Sequence, residues 1–202
     1  MKKTANALRV AALAGLIAVA GLGVARADEV SDGLAKAGEL YAKGDLAGAM
    51  KEIGFASSGI QSKLNDAYAS TLPEPPAGWT AEAVDAQSMA IMGMGQNISR
   101  TYTDANGNSV KLSLAADSPL LQSMGMVFAN PMMAAQAGFT RVRVGSEEAL
   151  MQDDKQANSV QIMLTLGGRL LLMAEASNVP ADQVKALFSA WKIDQLKKLA
   201  GI

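Results

Sequence analysis

No cysteine and no histidine occur among the 202 residues. Their absence excludes a disulfide, a thiolate nucleophile, a Ser-His-Asp triad and a zinc site of ordinary composition. Aromatic residues make up only 4% of the chain, so rings add little to the core and another bulky side chain must fill it. Excess charge of one sign is lacking too. The 18 basic residues face 19 acidic ones, which gives no support for nucleic-acid binding or a polybasic membrane contact. There is no Walker loop and no dinucleotide-binding glycine fingerprint, so no cofactor is expected. A run long enough to cross a bilayer is also missing. The longest extends from Val10 to Val24, 15 residues where roughly 20 are needed.

That run fits a different purpose. Lys2 and Lys3 precede it, and Ala25-Arg26-Ala27 follows it, with small residues where signal peptidase requires them. Residues 1–27 read as a secretory signal peptide, with cleavage expected between Ala27 and Asp28 and a periplasmic or secreted destination. No cysteine follows the run, so lipid attachment is excluded, and no stable membrane anchor is expected after cleavage. The remaining 175 residues carry 14 basic and 19 acidic side chains, near −5, and are enough for one core of ordinary size.

Residues 28–71 read as a helical hairpin, broken at Gly44-Asp45, where glycine ends the first helix and aspartate caps the second. Tyr41, Gly44, Asp45, Ala49, Ile53 and Ala56 are spaced so that the segment resembles one tetratricopeptide repeat. There is no second copy, and such a repeat cannot bury its apolar face alone, so packing against the rest of the molecule is expected. "LPEPPAG", residues 72–78, cannot continue a helix and marks a proline-rich linker. Trp79 follows it, placed to anchor the linker to a core or to line a ligand site.

From residue 79 to 202 the pattern implies an antiparallel α+β domain. Ile98, Arg100 and Tyr102 alternate with polar residues, as do Val110, Leu112 and Leu114, and Asn106-Gly107 supplies the turn between them. "AQSMAIMGM" reads as a preceding strand. "DSPLLQSMGMVFANPMMAAQAG" reads as a helix with Pro119 in the first turn and Leu120, Met124, Val127 and Phe128 on its stripe. It breaks at Asn130-Pro131 into a short second helix that Gly138 ends. Four strands follow, the last two joined at Gly167-Gly168. A helix then carries Val184, Leu187, Phe188 and Trp191 on one stripe, and "DQLKKLAG" forms a short tail. The expected class is α+β: a helical hairpin, then an antiparallel sheet with packed helices.

Across residues 79–194 this order resembles the sheet-and-helix domain of the extrinsic photosystem subunit family related to Mog1 (a PsbP/Mog1-like topology). That resemblance implies architecture alone. The succession of "LPEPPAGW", "DSPLLQ" and "NPMM" also resembles secreted, periplasmic proteins of Gram-negative bacteria of uncharacterised activity, which implies location.

A few constellations could carry chemistry. Glu147, Glu148, Asp153 and Asp154 could form a carboxylate pair of the glycosidase kind, although they sit beside turns, where solvated charge is usual. Asp104, Asn106 and Asn108 offer alternating oxygens, but the glycine and the glutamate of a calcium loop are missing and a hairpin turn explains them. Arg141 and Arg143 share one strand face. With Arg100 or Arg169 nearby they would make an anion or acidic-partner patch. The chain has 12 methionines. Met89, Met92 and Met94 could be thioether ligands for Cu(I), but strand alternation separates Met89 from the other two and no histidine completes the shell, so gap-filling in the core is the stronger reading.

The sequence therefore implies an exported, non-enzymatic binding or accessory protein of the periplasm. It would hold a protein partner or a small apolar ligand at the hairpin, or in the cleft between hairpin and sheet, with Trp79, Arg100, Arg141, Arg143 and Arg169 as candidate contacts. The alternative is a methionine-based copper-handling protein. A carboxylate-based hydrolase is the remote one.

Overall fold

The computed structural model describes residues 28–88 and 95–202. The expected signal peptide and Met89, Met92 and Met94 lie outside the described residues.

Two helices come first, α1 (Glu29–Ala42) and α2 (Leu46–Ala69). Both starts are fixed by local chemistry. Asp28 Oδ1 accepts from Ser31 N at 3.0 Å and Asp45 Oδ1 from Gly48 N at 2.9 Å, which satisfies amides that no helical carbonyl can reach. Gly44, at φ +81°, turns the chain between the helices. They run antiparallel and close together. Gly33 lies against Ala56, and Gly59 faces Val30 so tightly that a Cβ there would sit 2.6 Å from a Val30 methyl.

Among the described residues, eight strands form one antiparallel sheet: β1 (Thr80–Ala81), β2 (Asp85–Ser88), β3 (Gln96–Thr103), β4 (Ser109–Ala116), β5 (Thr140–Val144), β6 (Glu147–Asp154), β7 (Ser159–Leu166) and β8 (Leu170–Ser177). The order is β1-β3-β4-β8-β7-β6-β5, with β2 also pairing the β1 side of β3. Helices α3 (Leu120–Ala129) and α4 (Pro131–Gln136) join β4 to β5. Helices α5 (Ala181–Ser189) and α6 (Ile193–Ala200) follow β8. The α+β class and the N-terminal helical pair expected from the sequence are what the protein has.

Alternation divides the sheet into two unlike faces. Ile98, Tyr102, Leu112, Leu114, Ile162, Leu164, Leu172 and Ala174 are buried on the first, under α5, α6 and the end of α2. The second face has a smaller core, in which Ala115, Met163 and Leu171 meet Leu121, with Met124, Phe128, Phe139 and Met173 packed around them. Away from α3 this face is polar, with Lys111, Gln152, Gln161 and Glu175 around a shallow cleft. The α3 stripe differs from the expected one. Leu121 is the buried residue and Leu120 is exposed, because the helix begins after Pro119 and its inward face is set by the sheet.

The proline segment is not a loose linker starting at Leu72. Thr71, Leu72 and Pro73 are buried, and exposure begins at Glu74. Thr71 Oγ1 donates to Tyr68 O and accepts from Trp191 Nε1 at 3.0 Å, while Tyr102 Oη donates to Pro73 O at 2.7 Å. These bonds stitch the end of the hairpin to both the sheet and the turn between α5 and α6. The tail "DQLKKLAG" is the helix α6, because Leu196 and Ala200 fall one turn apart and are buried together.

Candidate binding surface

Helix α2 carries one apolar stripe along its whole length. Leu46, Met50, Ile53, Ser57, Ile60, Leu64 and Tyr68 follow four- and three-residue spacings, ending with a four-residue step, so they lie along one line of the helix. Its two ends are treated differently. Tyr68 is buried and Leu64 is packed against the main core. Further toward the N-terminus the cover stops. Leu46, Met50, Ile53 and Ile60 are exposed, Met50 at 68%.

The α1 contacts fix which way this stripe points. Lys36 pairs with Glu52 at 3.3 Å, Lys63 pairs with Asp28, and Gly33 and Val30 meet Ala56 and Gly59. The line Ala49-Glu52-Ala56-Gly59-Lys63 therefore faces α1, and the apolar stripe lies roughly a quarter-turn round from it. On α1, Leu34 and Tyr41 lie roughly a quarter-turn in the same rotational sense from the line facing α2. In antiparallel helices those two rotations lead to the same side. Leu34 and Tyr41, the latter 70% exposed, thus extend the α2 stripe into a face spanning both helices.

This face carries no charge. Its members on α1 are Ser31, Leu34, Ala35, Gly38, Tyr41 and Ala42, and small neutral residues such as Ala47, Gly54 and Ser58 border the α2 stripe. All seven acidic and four basic residues from Asp28 to Ser70 lie elsewhere on the helices or in the turn. The opposite side of the hairpin looks ordinary by comparison. Exposed Phe55 there has the Lys51 ammonium 5.8 Å from its ring centroid.

A second, smaller feature is an apolar cleft of about 400 Å³ beside Trp79, lined also by Pro76, Ala186, Leu187 and Ala190, with Glu74 and Gln183 at its polar edge. Trp79 is half-buried and packs against the main core, so it both anchors the proline segment and lines this cleft.

The strand order does not bring Arg100 beside Arg141 and Arg143, the condition for an arginine patch. Arg141 and Arg143 do share a face of β5, but Arg100 is on β3, five strands away and on the opposite face, about 24 Å distant at the usual strand spacing. Arg100, Arg141 and Arg169 are each used locally. Arg100 Nε donates to Glu82 O at 2.9 Å and its guanidinium lies over Tyr102, 5.6 Å from the ring centroid. Arg141 pairs with Glu148 and donates to Phe128 O, tying α3 to β5. Arg169 precedes β8 rather than lying on it. It grips Asp117 through two bonds of 2.9 and 2.8 Å and donates to Ala200 O, fastening the β7–β8 turn to α6.

Nor are the four carboxylates gathered. Glu147 and Glu148 begin β6 and Asp153 and Asp154 end it, about 20 Å apart, and neighbours in each pair face opposite ways. Glu147 pairs with Lys197, and that ammonium, with the Ser146 hydroxyl, holds its carboxyl below the usual range. Asp153 pairs with Lys155, and Asp154 closes the β6–β7 turn by accepting from Gln156 N and Ala157 N. Asp104 is used in the same way. It accepts from Asn106 N, Asn108 N and Asn108 Nδ2, which lowers its pKa and closes the β3–β4 turn.

Among the described residues, no three acidic side chains come together as metal ligands, and no helix is long and apolar enough to cross a membrane. The hairpin face was legible in the sequence as a spacing, but not as a surface, because nothing local marks where cover ends. The chain matches no protein-family model, and comparison with curated proteins and with solved structures finds no significant similarity to either.

Proposed function

We propose that the protein is an exported binding or accessory protein of the periplasm, without catalytic activity of its own, and that the helical hairpin is its docking element. The observation that carries this reading is the uncharged face from Leu34 and Tyr41 across to Leu46, Met50, Ile53 and Ile60. The protein buries a large apolar core against the sheet, yet leaves these large side chains in water. Exposed apolar groups gathered on one side of one element are a feature of interaction surfaces. An amphipathic helical face of this kind is read by a partner through anchors three, four and seven residues apart.

The cleft beside Trp79 supports a second use, for a small apolar ligand. Its lining is mainly apolar and has few polar groups at its edge, as ligand sites usually do.

Site-specific photo-cross-linking in exporting cells tests the docking reading. A photoreactive residue at Ile53 should give discrete protein adducts, and one at Lys111 on the polar sheet face should not. Adducts from Lys111 alone would reject the hairpin as the docking element. The export reading is checked by intact mass of the same protein, which should begin at Asp28. Residues 1–27 retained in a membrane fraction would reject it.

A further inference from the structure

We propose that the uncharged face of the hairpin pairs with the same face of a second copy of the chain, closing a four-helix bundle about a two-fold axis. This rests on the docking reading and names the partner. A two-fold contact brings a surface against itself, so any charge on it meets its like. The face has none on either helix, whereas the rest of the hairpin carries eleven charged residues. The shape also suits self-pairing. Leu46, Met50, Ile53, Ser57 and Ile60 keep the four-three spacing of a helix–helix seam, and Gly38, Gly54, Ala35 and Ala47 leave hollows beside the bulky side chains.

Charge argues against a lipid surface as the occupant. Residues 28–70 hold seven acidic and four basic side chains, and interfacial helices that bind anionic lipid have the reverse balance. In the paired arrangement these charges point away from the seam, where water and salt screen them over roughly 10 Å. The area sets the strength. About 16 residues of α2 give a length of about 24 Å, and two axes 8–10 Å apart give a width of about 19 Å. Each copy then covers roughly 450 Å², so the contact totals roughly 900 Å², in the range of weak, transient interfaces. The pairing is therefore weak and reversible.

Sedimentation velocity of the exported protein, from about 1 µM to about 500 µM, tests this. The expected result is a monomer–dimer equilibrium. Ile53→Glu and Met50→Lys should each weaken it at least about 100-fold while leaving the melting temperature of the monomer unchanged. Phe55→Glu, on the other side of the same helix, should leave it intact. A wild type that stays monomeric overturns the proposal. So does a dimer that survives Ile53→Glu and Met50→Lys, or one that Phe55→Glu dissociates equally. Cross-linking from Ile53 separates this from the broader reading. An adduct of twice the chain mass supports self-pairing, whereas adducts with other proteins from a monomeric chain sink self-pairing and keep the docking role. A monomer that gives no adduct sinks both.

Discussion

The two ends of α2 have similar composition and opposite fates. Leu64 and Tyr68 continue the line of Leu46, Met50, Ile53 and Ile60, and the same spacing serves both. At the C-terminal end Tyr68 is buried in the main core and Leu64 packs against it, where α2 meets β2, β3 and α6. Toward the N-terminus α2 meets α1, through Ala49, Ala56 and Gly59, where the helix is smallest. An apolar stripe thus specifies that something must cover it but not what does so. In the body the cover is the sheet. On the hairpin, none of the described residues covers Leu46, Met50, Ile53 or Ile60.

The sharpest way to break that comparison is to truncate one residue on each side of it. Leu172→Ala removes a fully buried side chain at the centre of β8, and should cost roughly 2–5 kcal/mol in urea unfolding. Ile53→Ala, measured on the dilute protein, should change stability by less than about 0.5 kcal/mol. Comparable losses would mean that Ile53 is covered within the monomer.

A smaller effect probes the stitch between the two regions. Thr71→Val keeps the shape but leaves the buried Trp191 Nε1–H without its acceptor. The expected cost is roughly 1–3 kcal/mol in the melting curve. Proteolysis between Glu74 and Gly78 should also quicken, since the Thr71 side chain no longer ties the start of that segment to Trp191. An unchanged melting curve would show that the hydrogen bond is not needed to join them.

The smallest effect concerns the start of α1. The Asp28 carboxyl is held down at about 2, below its ordinary 3.8, first by the Lys63 ammonium and then by Ser31 N–H. A lowered pKa stabilises the folded form above the unfolded value, and the benefit is lost as pH falls from about 3.8 to about 2. Amide exchange in the first turn of α1 should therefore speed up across that window while the strands stay protected. Lys63→Met should remove most of this pH dependence. If the variant keeps the full dependence, Lys63 is not its main cause.

Much of the fold was legible because it is decided by near neighbours. Gly107, at φ +83°, and Gly167-Gly168, at +54° and +67°, sit in turns where glycine takes up the positive φ at no steric cost. Asn130 caps α4, accepting from Met132 N and Met133 N, with Pro131 in the first turn, as the break in the pattern implied. What stayed hidden depended on distant partners. The tail became α6 because the body offers a place to bury Leu196 and Ala200. Leu72 and Pro73 left the linker because Tyr102 and Trp191 reach that end of the hairpin. Whether the arginines meet stayed open in the sequence, because alternation gives the face of a residue on its own strand, but neither the strand order nor a common face for the whole sheet.

The sequence by itself determined the class, the helical hairpin, the strand pairs joined by tight turns and the lack of histidine or cysteine chemistry. All of these follow from residue type and spacing within about ten positions. The tertiary structure decided which apolar residues are covered. Cover is a property of distant pieces brought together, and the spacing that buries Tyr68 under the sheet leaves Met50 in water.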